Sequence, residues 1–277
     1  MSHLLKFKTI LELKRYSVNT IYVYINFLEM FVRFLNINPN DLKNLGDKDI
    51  LLTIIKIVKI KNYSASSQKQ VIGAISLFYK EMYKREINFS AIYPTQNEQY
   101  LPVILSKSEV KLILAQTKNL KHKAMLACIY GLGLRVGEVL GLKIKHIDSD
   151  RMLVHIHNAK GKKDRIIMLP DYLLKLLRQY FKAYTPNDYL FEGQSNKQYS
   201  ASSIRKVFKK SLDVAKIKRT ATLHSLRHSF ATHLLENGTD IRIIQKLLGH
   251  KSIKTTLLYT QVAQSTIQNV QSPIDTL

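Results

Sequence analysis

Apolar residues recur at helical spacing through most of the first hundred positions of the chain. Ser17 precedes the segment NTIYVYINFLEMFVRFL, where its hydroxyl is placed to cap a helix whose aromatic side chains pack inward. A second helix is predicted to start after the serine-rich NYSASSQKQ and to run through VIGAISLFYKEMYKR. The segment between them, DILLTIIKIVKIK, fits a helix, although its β-branched residues also fit a strand. This pattern predicts a small all-helical bundle.

The helical pattern stops at AIYPTQNEQYLPVILS, which holds two prolines among polar residues. Directly after this stretch, Ser106 and Glu109 form the S-x-x-E pattern of a capping box before VKLILAQ. A linker followed by a new helix start indicates a domain boundary near residue 98. We therefore predict one domain over residues 1–97 and a second over residues 98–277.

The second domain changes its hydrophobic period once. Helical patterns run to about Leu142, and MLVHIHNAKGKKDRIIMLP then alternates, with Val154 and Ile156 on one side, which predicts a β-hairpin with a basic tip. Helical patterns return over 171–183, after Ser200, and over 222–236 and 240–249. The predicted fold class is mainly α, with an N-terminal helical bundle and an α-rich second domain that contains a small β-hairpin.

Composition restricts the possible functions. The 277 residues include 43 Lys and Arg against 20 Asp and Glu, a formal net charge of +23, which favours a polyanionic partner. No apolar stretch approaches the roughly 18 residues that a membrane span requires, and the N-terminus lacks the apolar segment of a signal peptide. The single cysteine, Cys128, lies in an apolar helical run, so we predict a core residue without a disulfide. We expect an intracellular, cytoplasmic protein without membrane contact.

Two pairs of charged residues occur at helical spacing in the second domain. Arg135 and Glu138 are three apart after a Gly-x-Gly, and His224 and Arg227 are three apart on a predicted helix. Either pair alone is typical of a surface ion pair or of the polar side of a helix. Their significance therefore depends on what accompanies them.

Together with residues farther along the chain, these pairs supply what metal-free phosphodiester cleavage requires. The candidate set is Arg135, Lys160, His224, Arg227, His250 and Tyr259. Guanidinium groups can stabilise the negative charge that spreads over the nonbridging oxygens in the transition state. A tyrosine can form a covalent phosphate ester once a neighbouring base or cation helps to remove its proton. A lysine at the hairpin tip can protonate the departing 5′-oxygen.

The segments that carry these residues resemble the sequence boxes of the tyrosine recombinases, the phage-integrase and Xer family. They are LGLRVGEVLGLK, NAKGKKDRIIMLP, LHSLRHSFATHLLENG and IIQKLLGHKSIKTTLLYT, and they occur in the order found in that family. The spacings are also similar to those of the family. They are 25 residues from Arg135 to Lys160, 23 from Arg227 to His250 and nine from His250 to Tyr259.

The resemblance implies a role for each matching residue at the phosphate. Tyr259 would be the nucleophile that forms a 3′-phosphotyrosine link to DNA. Arg135 and Arg227 would clamp the scissile phosphate, and His250 would donate a further hydrogen bond to it.

The resemblance also implies the proton-transfer groups. His224 would act as the general base towards the tyrosine, and Lys160 as the general acid for the 5′-hydroxyl. Lys162 and Lys163 lie on the same hairpin tip and are alternative acids. Glu138 would support the site by holding a catalytic cation or the histidine in place.

The resemblance covers the whole chain and implies an architecture. The first domain would be a SAM-like helical domain that grips DNA, and the second a catalytic domain with the DNA breaking-rejoining fold, in the simpler Xer-like arrangement without a further N-terminal module. A homotetramer would act on two double-stranded sites without a cofactor, since the phosphotyrosine conserves the bond energy. The tail after Tyr259 would dock on a neighbouring subunit. One departure is Gln261, where family members often have a histidine that is not among the catalytic residues.

Three alternatives to a recombinase remain open from the sequence. A type IB topoisomerase would share the chemistry, and a catalytically silent DNA-binding protein would equally explain the charge. A zinc hydrolase would use His224, His228 and His233, although no carboxylate or cysteine lies at ligand spacing. Within the recombinase interpretation, DNA integration or excision, inversion and chromosome dimer resolution are all compatible with the sequence.

Overall fold

The structure is a computed structural model that describes residues 3–95, 101–157, 164–194 and 197–261. The chain divides into two compact units, Met1–Tyr100 and Leu101–Leu277. Each unit has its own cluster of buried apolar side chains. No helix within the described ranges is long and apolar enough to cross a membrane.

The first unit is helical, as predicted. Its helices are α1 His3–Leu13, α2 Val18–Leu35, α3 Asp47–Ile60 and α4 Ala65–Tyr83, and short 3-10 turns cover Pro39–Asn44 and Ser90–Ile92. Ser17 caps α2 as expected, because its hydroxyl accepts a hydrogen bond from the Thr20 amide over 3.1 Å. The ambiguous segment forms α3, with Ile50, Ile54 and Ile57 buried at helical spacing.

The start of α4 differs from the sequence-based prediction. The helix begins at Ala65, inside the serine-rich stretch that was expected to precede it. Ser64 is the cap, and its hydroxyl accepts a hydrogen bond from the Ser67 amide over 3.3 Å. Serine is a good capping residue and is tolerated in the first turn, so a serine cluster can begin a helix as well as precede one.

The second unit is mainly helical with a small sheet. Its helices are α5 Lys107–Gln116, α6 Leu120–Gly131, α7 Val136–Leu140, α8 Asp171–Tyr184, α9 Ala201–Val214, α10 Leu223–Glu236, α11 Ile241–Leu248 and α12 Lys254–Leu257. Short 3-10 turns cover Ile144–His146 and Leu258–Gln261. The predicted capping box is present at the start of α5, where Ser106 and Glu109 each hydrogen-bond the other's backbone amide.

The predicted hairpin is part of a three-stranded antiparallel sheet. Its strands are β1 Ile147–Asp148, β2 Leu153–Ile156 and β3 Arg165–Met168, in the order β1-β2-β3. Val154 pairs with Ile167 and Ile156 with Arg165. The tip of the hairpin, residues 158–163 with Lys160, Lys162 and Lys163, lies outside the described residues.

Helix α6 is the centre of the second core. It is buried on all sides from Ala124 to Ile129, and α8 and α10 pack against it. Cys128 is fully buried there, and burial raises the pKa of its thiol, so the predicted core role is confirmed. This apolar support fixes α10, which carries several of the candidate site residues.

Candidate active site

Arg227 lies on α10 and is buried rather than solvated. It is 1% exposed, which excludes the interpretation that it belongs to the polar surface of an amphipathic helix. Its Nη1 donates to the Gly133 carbonyl over 2.6 Å, and its Nη2 donates to the Leu248 carbonyl over 2.7 Å and to His250 Nε2 over 3.1 Å. Burial, together with the charge of Arg135, lowers the pKa of Arg227 to about 9, so the guanidinium stays charged at neutral pH.

The Gly-x-Gly before Arg135 explains how the backbone reaches Arg227. Gly133 has φ +59°, and a Cβ at this position would lie 2.4 Å from Cδ1 of Phe230. Only glycine accommodates both the left-handed conformation and this contact. This close approach of the backbone brings the Gly133 carbonyl against the buried guanidinium.

Glu138 holds the arginines together. Its carboxylate accepts hydrogen bonds from the backbone amide and Nη1 of Arg135, both at 2.8 Å, and it lies 3.7 Å from Nη1 of Arg227. It also forms a two-pronged ion pair with Arg165, at 2.9 Å from Nη1 and 2.7 Å from Nη2. Burial would raise the pKa of Glu138, but the hydrogen bonds and charge of Arg165 and the Arg135 amide outweigh it and lower the pKa to about 2. Glu138 therefore holds cations, which is one of the two roles that the resemblance implies for it, and its charge also acts on His224.

Arg165 was not among the residues predicted from the sequence. It begins β3 directly after the hairpin tip, and its Nε donates to the Leu247 carbonyl over 2.7 Å. A signal was present in the sequence, because Arg165 lies two residues before Ile167 and so shares the inward face of the strand. A buried arginine on that face requires a carboxylate partner, which Glu138 provides.

Tyr259 lies in the 3-10 turn that follows α12. Its side chain is 2% exposed, and its Oη is 3.1 Å from Nδ1 of His228. The ring lies nearly parallel to that of His250, with centroids 6.4 Å apart and planes at 15°. Burial raises the pKa of Tyr259, and the charges of Arg227 and Arg135 oppose this rise.

His250 follows the left-handed Gly249 that ends α11, and both of its ring nitrogens are engaged. Nε2 faces the Arg227 guanidinium, which can only donate, so Nε2 is the acceptor and the ring proton is on Nδ1. Nδ1 lies 3.0 Å from the Thr256 hydroxyl, which accepts that proton's hydrogen bond. Burial, followed by the charges of Arg227 and Arg135, lowers the pKa of His250 to about 4, so the ring is neutral at physiological pH.

His224 lies at the exposed edge of the group. Its ring packs edge-on against that of His228, with centroids 4.6 Å apart. Partial desolvation and the charges of Arg227 and Arg135 lower the pKa of His224. Among the described residues no hydrogen bond joins His224 to Tyr259, and the histidine that contacts the tyrosine hydroxyl is His228. Sequence reasoning had placed His228 only in a zinc alternative.

The structure thus brings most of the predicted residues together. Arg135, Glu138, Arg227, His250 and Tyr259 form one connected group, with His224 beside it and Lys160 outside the described residues. The three histidines of the zinc alternative do not converge. His233 points to Tyr130, and within the described ranges no three His, Cys, Asp or Glu side chains are arranged to hold a metal ion.

An open basic cleft adjoins this group. It has a volume of about 810 Å³, begins at Arg135 and Glu138, and is lined further along by Lys143, Lys145 and His157. The side chain of Arg135 is 24% exposed, so it is accessible to a ligand beside the cleft. The arrangement can bind a phosphate next to a buried tyrosine hydroxyl. The positive charge that would oppose the phosphate is already held in place on Arg135 and Arg227.

The comparisons with known proteins agree with this chemistry. The sequence profile of the phage integrase family matches residues 104–266, and that of the phage integrase N-terminal SAM-like domain matches residues 4–89. A putative integrase/recombinase of Sinorhizobium fredii is 35% identical over 269 residues, which cover 96% of this chain and 86% of that protein. Tyrosine recombinase XerA of Pyrococcus horikoshii is 36% identical over 261 residues, which cover 93% of this chain and 88% of that protein.

Solved structures show the same fold. The XerH site-specific recombinase in a post-cleavage complex with its palindromic difH substrate superposes with a TM-score of 0.73 at 23% identity, over 92% of this chain and 80% of that one. At this identity the likeness shows the fold alone. The sequence relatives and the two matched family profiles show the family as well as the fold. This chain therefore belongs to the phage integrase family of tyrosine recombinases.

Proposed function

We propose that this protein is a site-specific DNA recombinase that cuts and rejoins strands through a covalent 3′-phosphotyrosine at Tyr259. The observation that carries the proposal is the position of the Tyr259 hydroxyl. It is buried, it is hydrogen-bonded to a histidine, and its pKa is influenced by two arginines that share one buried carboxylate. A packing tyrosine requires none of these charges.

Arg135 and Arg227 serve different parts of the phosphate clamp. Arg135 is partly exposed beside the basic cleft, so its fork can contact a nonbridging oxygen directly. Arg227 is fixed by three hydrogen bonds, while its buried Nε has no hydrogen-bond partner among the described residues. Arg227 therefore supplies a preorganised positive charge with one unused donor, and preorganised charge is the form of stabilisation that contributes most to catalysis.

Lys160 is proposed as the general acid for the departing 5′-oxygen. It belongs to the tip between β2 and β3, and Arg165 at the base of that tip is tied to Glu138. The carboxylate that positions Arg135 thus also fixes the start of the strand that carries the tip. Lys162 and Lys163 are on the same tip and are the alternatives to be tested beside Lys160.

The charge and the relatives support DNA as the substrate. A formal charge of +23 suits double-stranded DNA, and the XerH complex and a lambda integrase(75–356) dimer on a COC′ core site were solved with DNA. We propose that four copies act on two duplex sites in the cytoplasm, and that the SAM-like unit grips the DNA that the catalytic unit cuts. Integration or excision, inversion and chromosome dimer resolution are the biological outcomes that such an enzyme can have.

The test uses covalent attachment to DNA. Purified protein is incubated with sheared DNA from its own genome, protein-linked fragments are recovered under denaturing conditions, and their sequences define a nicked duplex for quantitative work. We expect wild-type protein to become covalently linked and Tyr259→Phe to bind the duplex without any link. The matched control is Tyr130→Phe, which removes a hydroxyl hydrogen-bonded to a different histidine of α10 and should retain linkage. A covalent complex that persists in Tyr259→Phe would overturn the assignment.

A further inference from the structure

We propose that His228 takes the proton from Tyr259 when the tyrosine attacks the phosphate, which makes His228 a catalytic residue of the recombination reaction. This inference rests on the proposed function, because it assigns a partner to the nucleophile named there. It departs from the role for His224 that the family resemblance implies. Three histidines, His224, His228 and His250, lie near enough to be considered as acceptors of the phenol proton.

His228 is the histidine at hydrogen-bond distance from the nucleophile. Its Nδ1 lies 3.1 Å from Tyr259 Oη, and the two rings have centroids 5.6 Å apart at 55°. With the ring proton on Nε2, Nδ1 carries a lone pair directed at the phenol. The proton therefore has to move only across one existing hydrogen bond, which is the geometry that a general base requires.

His250 is close to the tyrosine but has no free nitrogen. Its Nε2 accepts from Arg227, and its Nδ1 carries the proton that is donated to Thr256. Its ring stacks on that of the tyrosine, and no hydrogen bond joins it to the Tyr259 hydroxyl among the described residues. His250 can therefore orient the ring of Tyr259, and it can receive a proton only if the contact with Arg227 is broken.

His224 is one helical turn before His228. It contacts His228, and His228 in turn contacts the tyrosine. The two histidine rings meet edge to face at 4.6 Å, and His224 is exposed. His224 is thus placed to influence His228 and to exchange protons with water. It is a positioning residue for the base in this arrangement, and no contact among the described residues takes it to Tyr259.

The charges around His228 indicate when it accepts the proton. In the absence of DNA, burial, followed by the charges of His224 and Arg227, lowers the pKa of His228 to about 4, so the ring is neutral and its lone pair is available. The other charged or titratable groups of this site, within the part of the chain that the structure describes, are Arg135, Glu138, Arg165, His250 and Tyr259 itself. A phosphate bound between the arginines adds negative charge, which offsets their effect and makes His228 more basic at the moment of attack.

The proposed step moves one proton to His228 and a second proton to the leaving oxygen. The Oη–H bond of Tyr259 breaks and its proton moves to Nδ1 of His228, while the Oη electron pair forms the bond to phosphorus. The bond from phosphorus to the 5′-oxygen breaks, and that oxygen takes a proton from a separate acid, for which Lys160 is proposed. On religation the same protons return in the opposite direction.

The test separates proton transfer from packing by changing the acidity of the nucleophile. His228→Asn places an amide oxygen where Nδ1 stood, so it can accept a hydrogen bond but cannot hold a proton. We expect single-turnover formation of the covalent complex on the nicked duplex to fall by about 100-fold, as is typical for a lost general base. A fluorinated tyrosine introduced at position 259 has a more acidic phenol. We expect it to raise the cleavage rate of His228→Asn at least tenfold, and to change the rate of the protein with His228 intact much less.

The matched control is His233→Asn, on the same helix. His233 makes the equivalent Nδ1 contact with Tyr130, so its replacement costs the same kind of hydrogen bond. DNA affinity and thermal unfolding are measured for both variants, and His228→Gln serves as a second replacement if His228→Asn unfolds. A cleavage defect that is equal for tyrosine and fluorotyrosine, or an unchanged cleavage rate in His228→Asn, would overturn the role of His228. Either result would leave the proposed function standing, since that depends on Tyr259→Phe.

Discussion

Helix α10 carries two histidines that each contact a tyrosine through Nδ1. Only one of the two histidine-tyrosine pairs lies beside the arginines of the candidate active site. The distances are nearly equal, 3.1 Å between His228 and Tyr259 and 3.0 Å between His233 and Tyr130. The histidines are five residues apart, which separates them by about 140° around a helix of 100° per residue. The same helix therefore presents one pair to the arginine site and the other to α6.

The difference between the pairs lies in their charged neighbours. Burial is the sole cause of the raised pKa of Tyr130, whereas at Tyr259 the charges of Arg227 and Arg135 oppose burial. A histidine-tyrosine hydrogen bond is thus an ordinary packing device in this protein. It becomes a candidate for catalysis when guanidinium groups and a shared carboxylate surround it.

The largest expected effect comes from replacing Arg227, the buried arginine beside the His228–Tyr259 pair. Arg227→Lys removes the fork that bonds the Gly133 carbonyl, the Leu248 carbonyl and His250, and a lysine cannot contact all three. We expect the single-turnover cleavage rate to fall by about 10² to 10³, the range for losing one preorganised donor. The control is Lys107→Met, which removes the cation that acts on His233 and should leave cleavage unchanged. Cleavage within a few-fold of wild type in Arg227→Lys would contradict the clamp.

The second prediction concerns Glu138, the buried carboxylate shared by the arginines beside the first pair. Glu138→Gln leaves the buried Arg165 and Arg227 without their counter-charge. We expect the free energy of unfolding, measured by urea titration, to fall by about 3 kcal/mol, as for other buried ion pairs that lose one partner. The control is Glu236→Gln beside His233, a half-buried site where about 0.5 kcal/mol or less is expected. Equal losses in the two variants would mean that Glu138 does not stabilise the fold as the counter-charge of the buried arginines.

These contrasts also show how far sequence reasoning reached. Helix α2, the caps at Ser17 and Ser106 and the hairpin follow from local patterns, and the structure confirms them, whereas the predicted start of α4 was wrong. The types of residue at the site followed from the chemistry that a phosphodiester requires. What brings Tyr259 into contact with His228, however, is a pairing across 31 positions of the chain, and no periodicity encodes it.

Two residues were missed for different physical reasons. Arg165 directly follows the basic hairpin tip, so it was not distinguished from the tip's charged residues, although its register with Ile156 places it on the buried face. His228 and His233 are indistinguishable in sequence, since both are histidines on one helix with a tyrosine elsewhere. Only the direction in which each side chain leaves the helix decides which one reaches the arginines, and that depends on how α10 packs on α6.

The third prediction compares two glycines with the same left-handed backbone. Gly249 has φ +63°, and a Cβ there would lie 3.1 Å from Cδ of Arg165, whereas Gly238 has φ +80° and open space around it. We expect alanine at either position to lower the free energy of unfolding by about 1–2 kcal/mol because of the backbone conformation. Gly249→Ala should also slow cleavage by about tenfold, since a displaced Arg165 misplaces Glu138 and the arginines. Equal cleavage rates in the two variants would show that Arg165 does not act on the site.

The smallest expected effect is the dependence of stability on pH, and it also distinguishes the two histidines. The pKa of His228 is lowered to about 4 in the folded protein, against about 6.5 for an unfolded chain. The folded state therefore resists protonation, so the contribution of a neutral His228 is complete above pH 6.5 and is lost as the pH falls towards 4. His228→Asn should remove about 1 kcal/mol of this acid-induced loss, measured as the difference in free energy of unfolding between pH 7 and pH 4.5. His233→Asn should remove less, because Glu236 and the Leu105 backbone counteract burial at that ring. If His233→Asn flattened the pH dependence as much as His228→Asn, the two pairs would be electrostatically equivalent, and the arginines could not be what sets the first pair apart.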